Sequence, residues 1–516
     1  MTSLNVLLED VIDKCGGFGR FQWTVVSLAM LSKVACAWGI LMMQFGGAIP
    51  DWWCQWSNQT LFSLKYTNHS SSFESYKVCS PPQNESSFSF CSNFRFSTDM
   101  NTAVNEWELI CDNDWVTSLI TTIQMAGLLV SGLLAGQLSD TFGRKPTFAL
   151  SLIIMVVSNL VAAFSISWEM FAVMRFLIGL GSGIYLATMY IYMIEFIPKK
   201  YRPMITAFPA FPVFAAVFGF MSWWLRDWKN LHYATSIVTS ITLLSIFIIP
   251  ESFRWLASRH KLDRAVSVIK KVARTNGRQV PDLTSLQDVV NESSKDSDRK
   301  FTIIDMFLHR SFLKTSCLLV FCWLSCGYSY YAITFAVDQL SGSLYLNMFL
   351  LSLVEIPGTL SSWYFNNRIG RRWTCFMLFM IAAVAGLIVA ILQVVDVPEK
   401  AGLINGFALA AKLGVSAAWP ALMTFTTELY PTVIRNISYG FLSSVSRVGA
   451  MVAPQLVHVN TTIPGLLYFL FGGSMLLSAV ISLLFPETRG KNLEDQIQTI
   501  EVAVKEETKT EKFTKF

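Results

Sequence analysis

Long apolar stretches separated by short polar turns dominate the hydrophobicity pattern of the chain. A helix needs about 20 consecutive apolar residues to cross a bilayer, so a window of that length identifies candidate spans. It predicts twelve membrane-spanning helices, six on each side of a charged central segment. They run over 22–49, 116–138, 147–165, 168–193, 204–225, 231–250, 314–337, 344–365, 373–394, 399–425, 433–457 and 463–485.

Composition agrees with this pattern. Of the 516 residues 53% are hydrophobic and only 15% are charged, and the mean hydropathy is +0.45. These values exclude a soluble globular protein and favour an all-α polytopic membrane protein. Residues 1–21 contain acidic side chains and no uninterrupted apolar core, so we expect no signal peptide there. They are predicted to stay in the cytosol, either as an amphipathic surface helix or as a disordered tail.

Basic residues predict which side of the membrane each turn occupies. Arg144-Lys145, the run Lys199–Arg202, the 254–314 segment and Arg371-Arg372 fall on one side, while the opposite turns are short and weakly charged. By the positive-inside rule both termini are cytoplasmic. The predicted organisation is therefore a cytoplasmic N-terminus (1–21), a first half (22–250) with an extracellular loop (50–115), a cytoplasmic linker with short helices (251–313), a second half (314–485) and a cytoplasmic tail (486–516).

The predicted external loop has a composition of its own. Four of the ten cysteines cluster in it, which on an oxidising side predicts two disulfides whose pairing stays open. It also contains three acceptor sequons, so glycosylation is expected there. The cysteines are Cys54, Cys79, Cys91 and Cys111, and the sequon asparagines are Asn58, Asn68 and Asn84.

Three short motifs occur once in each half. GQLSDTFGRKP (136–146) is echoed by NNRIGRRW (366–373), IEFIPKKYRP (194–203) by TELYPTVIRN (427–436), and PESFRWL (250–256) by PETRGKNL (486–493). Two parallel repeats of six spans are typical of the major facilitator fold, which binds its substrate near the membrane midplane between the halves.

These motifs also carry a resemblance to a family. GQLSDTFGRKP resembles the cytoplasmic signature of the major facilitator superfamily. NEWELICDNDW (105–115), together with PESFRWL and TELYPTVIRN, resembles the organic anion, organic cation and carnitine transporter family, solute carrier family 22. The long loop and the opening CGGFGRFQ (15–22) fit the same family. Sugar porters share the PESFRWL and PETRG endings, but the long glycosylatable loop argues against them.

The resemblance implies a substrate charge. Cation carriers of this family have an acid in the eleventh span, whereas anion and carnitine-type carriers have an arginine, here Arg447 in SSVSRVG. Lys412 stands where anion and zwitterion carriers have lysine, Tyr330-Tyr331 match a cavity-lining aromatic pair, and Trp419 matches an aromatic of anion carriers.

Two departures leave the substrate open. Thr359 replaces a lysine that is common in anion carriers, and Gly39-Ile40 replace a histidine and an asparagine.

Charges inside the spans also carry a physical argument. A cation at membrane depth costs at least about 2.5–3.5 kcal/mol on insertion scales and therefore usually serves function. The guanidinium of Arg447 matches carboxylate or sulfate oxygens, although a structural ion pair is the alternative. Lys412 binds substrate or balances a buried acid such as Glu428 or Glu355. Lys33 either faces the cavity, where it replaces the lysine missing at Thr359, or forms a structural pair.

Polar and aromatic residues complete the candidate sites. Aromatic side chains that line a pocket would suit planar substrates, although any single one is more often packing. The expected substrate-binding set is Arg447, Lys412, Tyr330, Tyr331, Trp419, Lys33, Gln44 and Phe211, with Trp38 and Phe214 as further aromatics. Charged residues at the cytoplasmic turns are expected to form gate ion pairs, or reflect topology alone. They are Asp140, Arg144, Glu195, Arg202, Arg371 and Glu428.

Motifs of other function classes are missing from the sequence. It has no Walker loop, no zinc-type Cys/His spacing and no Gly-x-Ser-x-Gly elbow, so no enzyme, cofactor, metal or nucleic-acid partner is expected. Gly-rich GLGSG (179–183) and the nearby Arg175 are interpreted as helix packing.

Three hypotheses follow. The first is a plasma-membrane carrier of organic anions, including sulfated or glucuronidated conjugates, that works by alternating access, with exchange against another anion as one mode. The second is a carnitine-type zwitterion carrier, or a cation carrier, of the same fold. The third is a non-transporting receptor or scaffold. The expected partners are small organic ions and the lipid bilayer.

Overall fold

Membrane-spanning helices make up most of the computed structural model, which describes residues 4–54, 79, 94–202, 208–282, 306–307, 310–395, 400–430 and 432–489. Nine helical stretches in these ranges are long and apolar enough to cross a membrane, and two shorter apolar helices accompany them. The helix Thr432–Thr462 supplies the remaining span. The described chain thus has the all-α, twelve-span architecture of the major facilitator fold.

The first half begins with α1 (Leu4–Lys14) and continues through six spans. These are α2 (Arg20–Leu31) with α3 (Lys33–Gly46), then α5 (Trp115–Phe142), α6 (Arg144–Ala163), α7 (Trp168–Phe196), α8 (Ala210–Leu225), and α9 (Trp228–Leu243) with α10 (Ser245–Ile248). A two-stranded antiparallel sheet of β1 (Trp52–Cys54) and β2 (Phe94–Phe96), followed by α4 (Ala103–Glu106), lies between the first and second spans.

The second half follows two short helices, α11 (Phe253–Ser258) and α12 (Leu262–Thr275). Its six spans are α13 (Arg310–Phe335), α14 (Leu344–Arg368), α15 (Arg371–Val394), α16 (Lys400–Leu429), α17 (Thr432–Thr462) and α18 (Leu466–Ser482). We call the membrane side with the 50–115 segment the loop side, and the side with α1, α11 and α12 the terminal side.

The first span differs from the prediction, which had one uninterrupted helix over 22–49. It is broken at Ser32, which ends α2 and precedes α3. The Ser32 hydroxyl donates to the Ala29 carbonyl at 2.8 Å and lies 2.9 Å from the Tyr185 hydroxyl. A serine that bonds back into its own helix competes with the backbone ladder and bends the helix. The break therefore lies directly before Lys33.

Glycines allow the second and fourth spans to pack at backbone distance. A Cβ on Gly179 would lie 2.1 Å from the Gln124 carbonyl oxygen, and one on Gly183 would lie 1.6 Å from Ser131 Oγ. In the second half, Gly327 approaches the Ser446 carbonyl in the same way. The GLGSG motif is thus a packing surface, as small residues are in many membrane helices.

A second apolar core lies on the terminal side. The apolar face of α1 packs with α11 and α12 against the ends of the first, fourth and sixth spans, with Val11, Phe196, Trp255 and Ile269 among the buried residues. Residues 4–14 are therefore helical, and α1 packs against protein rather than lying free as a tail.

Candidate substrate site and its charges

Lys412 is ion-paired at the centre of the second half. Its Nζ lies 2.8 Å from Glu355 Oε1 and donates to Thr334 Oγ1 at 2.6 Å, and both charged side chains are almost fully buried. The Tyr330 hydroxyl donates to Glu355 Oε2 at 2.9 Å, while the Lys412 ammonium lies 3.7 Å from the centre of the Tyr330 ring. A buried ion pair that is fully hydrogen-bonded avoids the penalty of an isolated charge. The acid that balances Lys412 is therefore Glu355, and the two charges cancel.

A small cavity borders this pair between the two halves. Its volume of about 10 Å³ is lined by Gln44, Phe211, Tyr330, Glu355 and Lys412, among others. That is room for about one water molecule. Gln44 of the first half closes it by donating to the Thr334 carbonyl at 2.5 Å. The cavity in this structure is therefore too small for an organic molecule.

Arg447 has a different environment. One of its Nη1 hydrogens is donated to the Tyr331 hydroxyl at 3.2 Å, and the side chain is half-buried. No carboxylate of the described chain pairs with it. The Cys36 thiol in the first span lies within electrostatic range of both Arg447 and Lys33. Lys33, at the start of α3, also lacks a carboxylate partner among the described residues. Arg447 of the second half and Lys33 of the first, neither paired with a carboxylate of the described chain, are thus both within electrostatic range of Cys36.

Aromatic side chains connect the two charged groups. The Tyr330 ring lies 5.2 Å from that of Tyr331 and 5.7 Å from that of Trp419. Trp38 instead donates its indole N–H to the Phe214 carbonyl at 3.0 Å, which fixes the first span against the fifth. Tyr330, Tyr331 and Trp419 thus form an aromatic surface between Lys412 and Arg447.

The charged residues at the terminal side pair within their own halves. Arg144 bonds Asp140 at 2.7 Å and Glu195 at 3.0 Å in the first half. Arg371 pairs with Glu428 at 2.8 Å in the second. These are equivalent positions of the two repeats, so one arrangement occurs twice.

Arg202 does not join that arrangement. It pairs with Glu9 of α1 at 2.6 Å, and the same carboxylate oxygen lies 2.9 Å from Arg254 Nη2 in a second ion pair. Glu9 thus ties α1 to the turn after the fourth span. The sequence offered no signal for this role, because a single acid in an amphipathic helix is usually solvated.

Two further acids hold the turn before the third span of each half. Glu251 accepts from the backbone N–H groups of Arg144 at 3.0 Å and Lys145 at 3.2 Å. Glu487 accepts from those of Arg371 at 2.9 Å and Arg372 at 3.2 Å. A carboxylate at a helix N-terminus satisfies free N–H groups and the helix dipole. Burial raises the pKa of Glu251, and these N–H groups oppose that shift. In the sequence, the signal for these two acids was the pair of PES and PET motifs, which repeat at equivalent positions of the two halves.

Polar contacts also join the halves on the loop side. The Gln455 amide donates to Thr122 Oγ1 at 3.0 Å, and Thr122 Oγ1 donates to the Met451 carbonyl at 3.2 Å. His458 Nε2 lies 3.8 Å from Asp114 Oδ1. These contacts join the second span to the eleventh, so the halves meet on this side of the cavity.

Comparison with known proteins identifies the family. The model of the family described as "Sugar (and other) transporter" matches residues 40–499. An organic cation transporter protein of Drosophila melanogaster is 30% identical over 95% of this chain and 94% of its own length. Solute carrier family 22 member 4 of Mus musculus and member 6-A of Xenopus laevis are each 28% identical over 96% of this chain and 94% of their own length. The chain belongs to solute carrier family 22. It is therefore a membrane transporter of organic ions rather than an enzyme.

The fold of this family 22 carrier agrees with solved structures. The inward-open xylose transporter of E. coli has a TM-score of 0.63 at 15% identity and covers 91% of this chain and 98% of its own. Identity this low supports the fold alone.

One disulfide of the 50–115 segment is described in this carrier. Cys79 bonds Cys111, four residues before the second span begins. Cys91 and the sequon asparagines Asn58, Asn68 and Asn84 lie outside the described residues, as does the side chain of Cys54.

Proposed function

We propose that this carrier transports organic anions across the plasma membrane by alternating access, with both termini in the cytoplasm. The observation that supports anions most directly is the pair of uncompensated cations, Arg447 and Lys33, at the interface of the halves. Lys412 does not add to this charge, because Glu355 neutralises it. The central site therefore has a net positive charge, which attracts an anion and repels a cation.

The chemistry of Arg447 specifies the class of anion. A guanidinium presents parallel N–H donors that match the oxygens of carboxylate or sulfate groups. Its present partner, the Tyr331 phenol, is neutral and exchangeable. The aromatic surface of Tyr330, Tyr331 and Trp419 would contact a planar body attached to that anionic group. Carboxylates and sulfated or glucuronidated conjugates have both features.

Alternating access requires contacts that can form and break on each side. On the loop side the Thr122, Gln455 and Met451 contacts are such a seam. On the terminal side we infer that the paired groups Arg144–Glu195 and Arg371–Glu428 hold the turns that form the inner gate. The cavity of about 10 Å³ beside the Lys412–Glu355 pair, which Arg447 and Lys33 do not line, is then one part of the closed substrate path. Exchange against a second anion would use the same charged site.

A zwitterion carrier is the second candidate, and Glu355 favours it. This carboxylate borders the central cavity, and the aromatic ring of Tyr330 lies beside it. If Lys412 moved away, Glu355 would bind a substrate cation while Arg447 bound the carboxylate. Three relatives are named organic cation/carnitine transporter 2, at 27%, 31% and 29% identity. In a pure cation carrier or a scaffold, the unpaired cations Arg447 and Lys33 would have no function.

Uptake of a labelled panel into expressing cells tests the substrate class. The panel is a dicarboxylate, a steroid sulfate, carnitine and a small quaternary amine, with untransfected cells as the control. The proposal expects uptake of the first two above background and none of the amine. Carnitine alone would establish the zwitterion candidate, and uptake of the amine alone would contradict both.

A further inference from the structure

A second, larger cleft lies on the terminal side, away from the central cavity. Its volume is about 800 Å³, and it is bordered by α1, by the turn after the fourth span and by the end of α12. Lys14, Phe18, Lys199, Lys200, Tyr201 and Arg278 line it. Ligand sites for small molecules usually measure about 300–1,000 Å³. The proposed transport function does not use this cleft.

The cleft carries excess positive charge. Lys14 is neutralised by Asp10 at 2.6 Å, and the lining acid Glu9 is already paired with two arginines. Lys199, Lys200 and Arg278 are exposed, and within the described ranges none has a carboxylate partner.

Asp13 is the remaining acid among the described lining residues, so three free cations face one carboxylate. Such a cleft would attract a multiply charged anion.

The geometry of Arg278 is set by the backbone. Gly277 adopts φ +67°, which ends α12, and the Arg278 N–H bonds the Ala273 carbonyl at 2.9 Å. The Arg278 Cγ packs 3.1 Å from the Cβ position of Gly16, a residue at φ +103°. The arginine is therefore held beside the Gly16-Gly17 turn, and its position in the cleft depends on both segments.

Aromatic residues place the cleft at the membrane surface. The Phe18 ring lies 5.0 Å from the Tyr201 ring and 5.2 Å from that of Trp23. Trp23 stands in the first turn of the first span and is 55% exposed. Tryptophans at the ends of spans lie at the level of the lipid headgroups. A ligand in this cleft would therefore be at headgroup depth.

We propose that this cleft binds the phosphorylated headgroup of an anionic inner-leaflet lipid of the polyphosphoinositide class. A phosphomonoester carries about −1.5 to −2 charges at pH 7, which complements Lys199, Lys200 and Arg278. Basic clusters beside a span on the cytoplasmic side attract such lipids. The bound headgroup joins α1, the turn after the fourth span and α12. The inference rests on the cytoplasmic position of the termini proposed above.

Titration of the purified full-length protein in detergent tests the site. The probe is short-chain phosphatidylinositol 4,5-bisphosphate, with short-chain phosphatidylcholine and free inositol trisphosphate as the comparison ligands. Binding is followed by Trp fluorescence and by the thermal unfolding midpoint, which a ligand of the native state raises. We expect saturable binding of the bisphosphate lipid, weaker binding of inositol trisphosphate and none of phosphatidylcholine.

Variants assign the binding to the cleft. The triple variant Lys199→Gln, Lys200→Gln, Arg278→Gln is expected to weaken lipid binding at least tenfold. The control variant Lys270→Gln, which removes an exposed cation from α12 outside the cleft, leaves binding unchanged. If the triple variant does not fold, Arg278→Gln alone is expected to weaken binding severalfold.

Specific outcomes would overturn the inference. Undiminished lipid binding in a folded triple variant rejects the site, and equal affinity for inositol trisphosphate rejects the lipid as the source of the phosphate. Detergent titration involves neither transport substrate nor membrane orientation. A negative result here is therefore separate from a failure of the proposed function, which uptake measures.

Discussion

Lys412 and Glu355 form a buried ion pair with 2.8 Å between Nζ and Oε1. Because of this pair, Lys412 adds nothing to the net charge of the site. A lysine of the tenth span and a glutamate of the eighth cancel, whereas Arg447 of the eleventh span contacts a phenol. The two basic residues that the family pattern places together thus have different environments. Lys412 is ion-paired in this state, whereas Arg447 has no carboxylate partner among the described residues.

The pair predicts a rescue by double substitution. Lys412→Met alone leaves Glu355 as an uncompensated buried charge, and such single losses cost about 3–5 kcal/mol. Lys412→Met with Glu355→Gln removes both charges and is expected to restore most of the folded yield and thermal midpoint. Fluorescence-detected gel filtration of the single and double variants measures this. A double variant as unstable as the single one would show that the pair does not account for the loss.

The close helix contact at Gly179 predicts that a glycine-to-alanine substitution destabilises the protein there and not at an uncrowded glycine of the same half. Gly179→Ala places a methyl group 2.1 Å from the Gln124 carbonyl, so the second and fourth spans must separate. Overpacking of this kind costs about 1–3 kcal/mol. Gly136→Ala is the matched control, because nothing lies within 4 Å of its Cβ position. The measurement is the thermal midpoint and surface expression. Equal behaviour of the two variants would contradict the close approach.

Glu251 and Glu487, the carboxylates on the terminal side, are expected to stabilise the two halves in the same way. Glu251→Ala frees the N–H groups of Arg144 and Lys145, and Glu487→Ala frees those of Arg371 and Arg372. Hydrogen bonds to a charged group contribute about 1.5–3 kcal/mol. Each substitution should therefore lower the thermal midpoint, and by similar amounts. Glu108→Ala, in the 50–115 segment, serves as the control acid. A fall for one half alone would reject their equivalence.

The contacts between the halves on the loop side predict that a cross-link there blocks transport. Thr122 and Gln455 bond across the halves at 3.0 Å, so cysteines at both positions would be within reach of a short bifunctional thiol reagent. Cross-linking Thr122→Cys with Gln455→Cys should stop uptake, because the halves can no longer separate on that side. Each single cysteine variant, treated in the same way, is the control. Full uptake after complete cross-linking would rule out opening of this seam during transport.

The sequence was informative wherever a local pattern carries the physics. The length of the apolar stretches predicted the membrane spans. The small residues at helical spacing in GLGSG predicted the close helix contact at Gly179 and Gly183. The break at Ser32 was not predictable from hydropathy, because an averaging window ignores a single hydroxyl that bonds Tyr185 in another span. Element types therefore follow from local sequence, and local bends do not.

The sequence did not predict which charged residues of distant helices pair with each other. The sequence offered Glu428 and Glu355 equally as partners of Lys412, and only the packing of the eighth span against the tenth distinguishes them. The same holds for Glu9 with Arg202, residues that lie far apart in the chain. Which charge stays free in the membrane is a property of three-dimensional packing. That property is also what the transport hypothesis depends on.

The central claim is that Arg447 binds the anionic group of the substrate, and steroid sulfate uptake by Arg447 variants tests it most directly. Arg447→Ala and Arg447→Met should reduce uptake at least tenfold at unchanged surface expression, and Arg447→Lys should retain part of it because one charge remains. The control Arg264→Ala removes an exposed arginine of α12 and should match the unmodified protein. Unchanged uptake in Arg447→Ala, with surface expression equal to the control, would contradict the account.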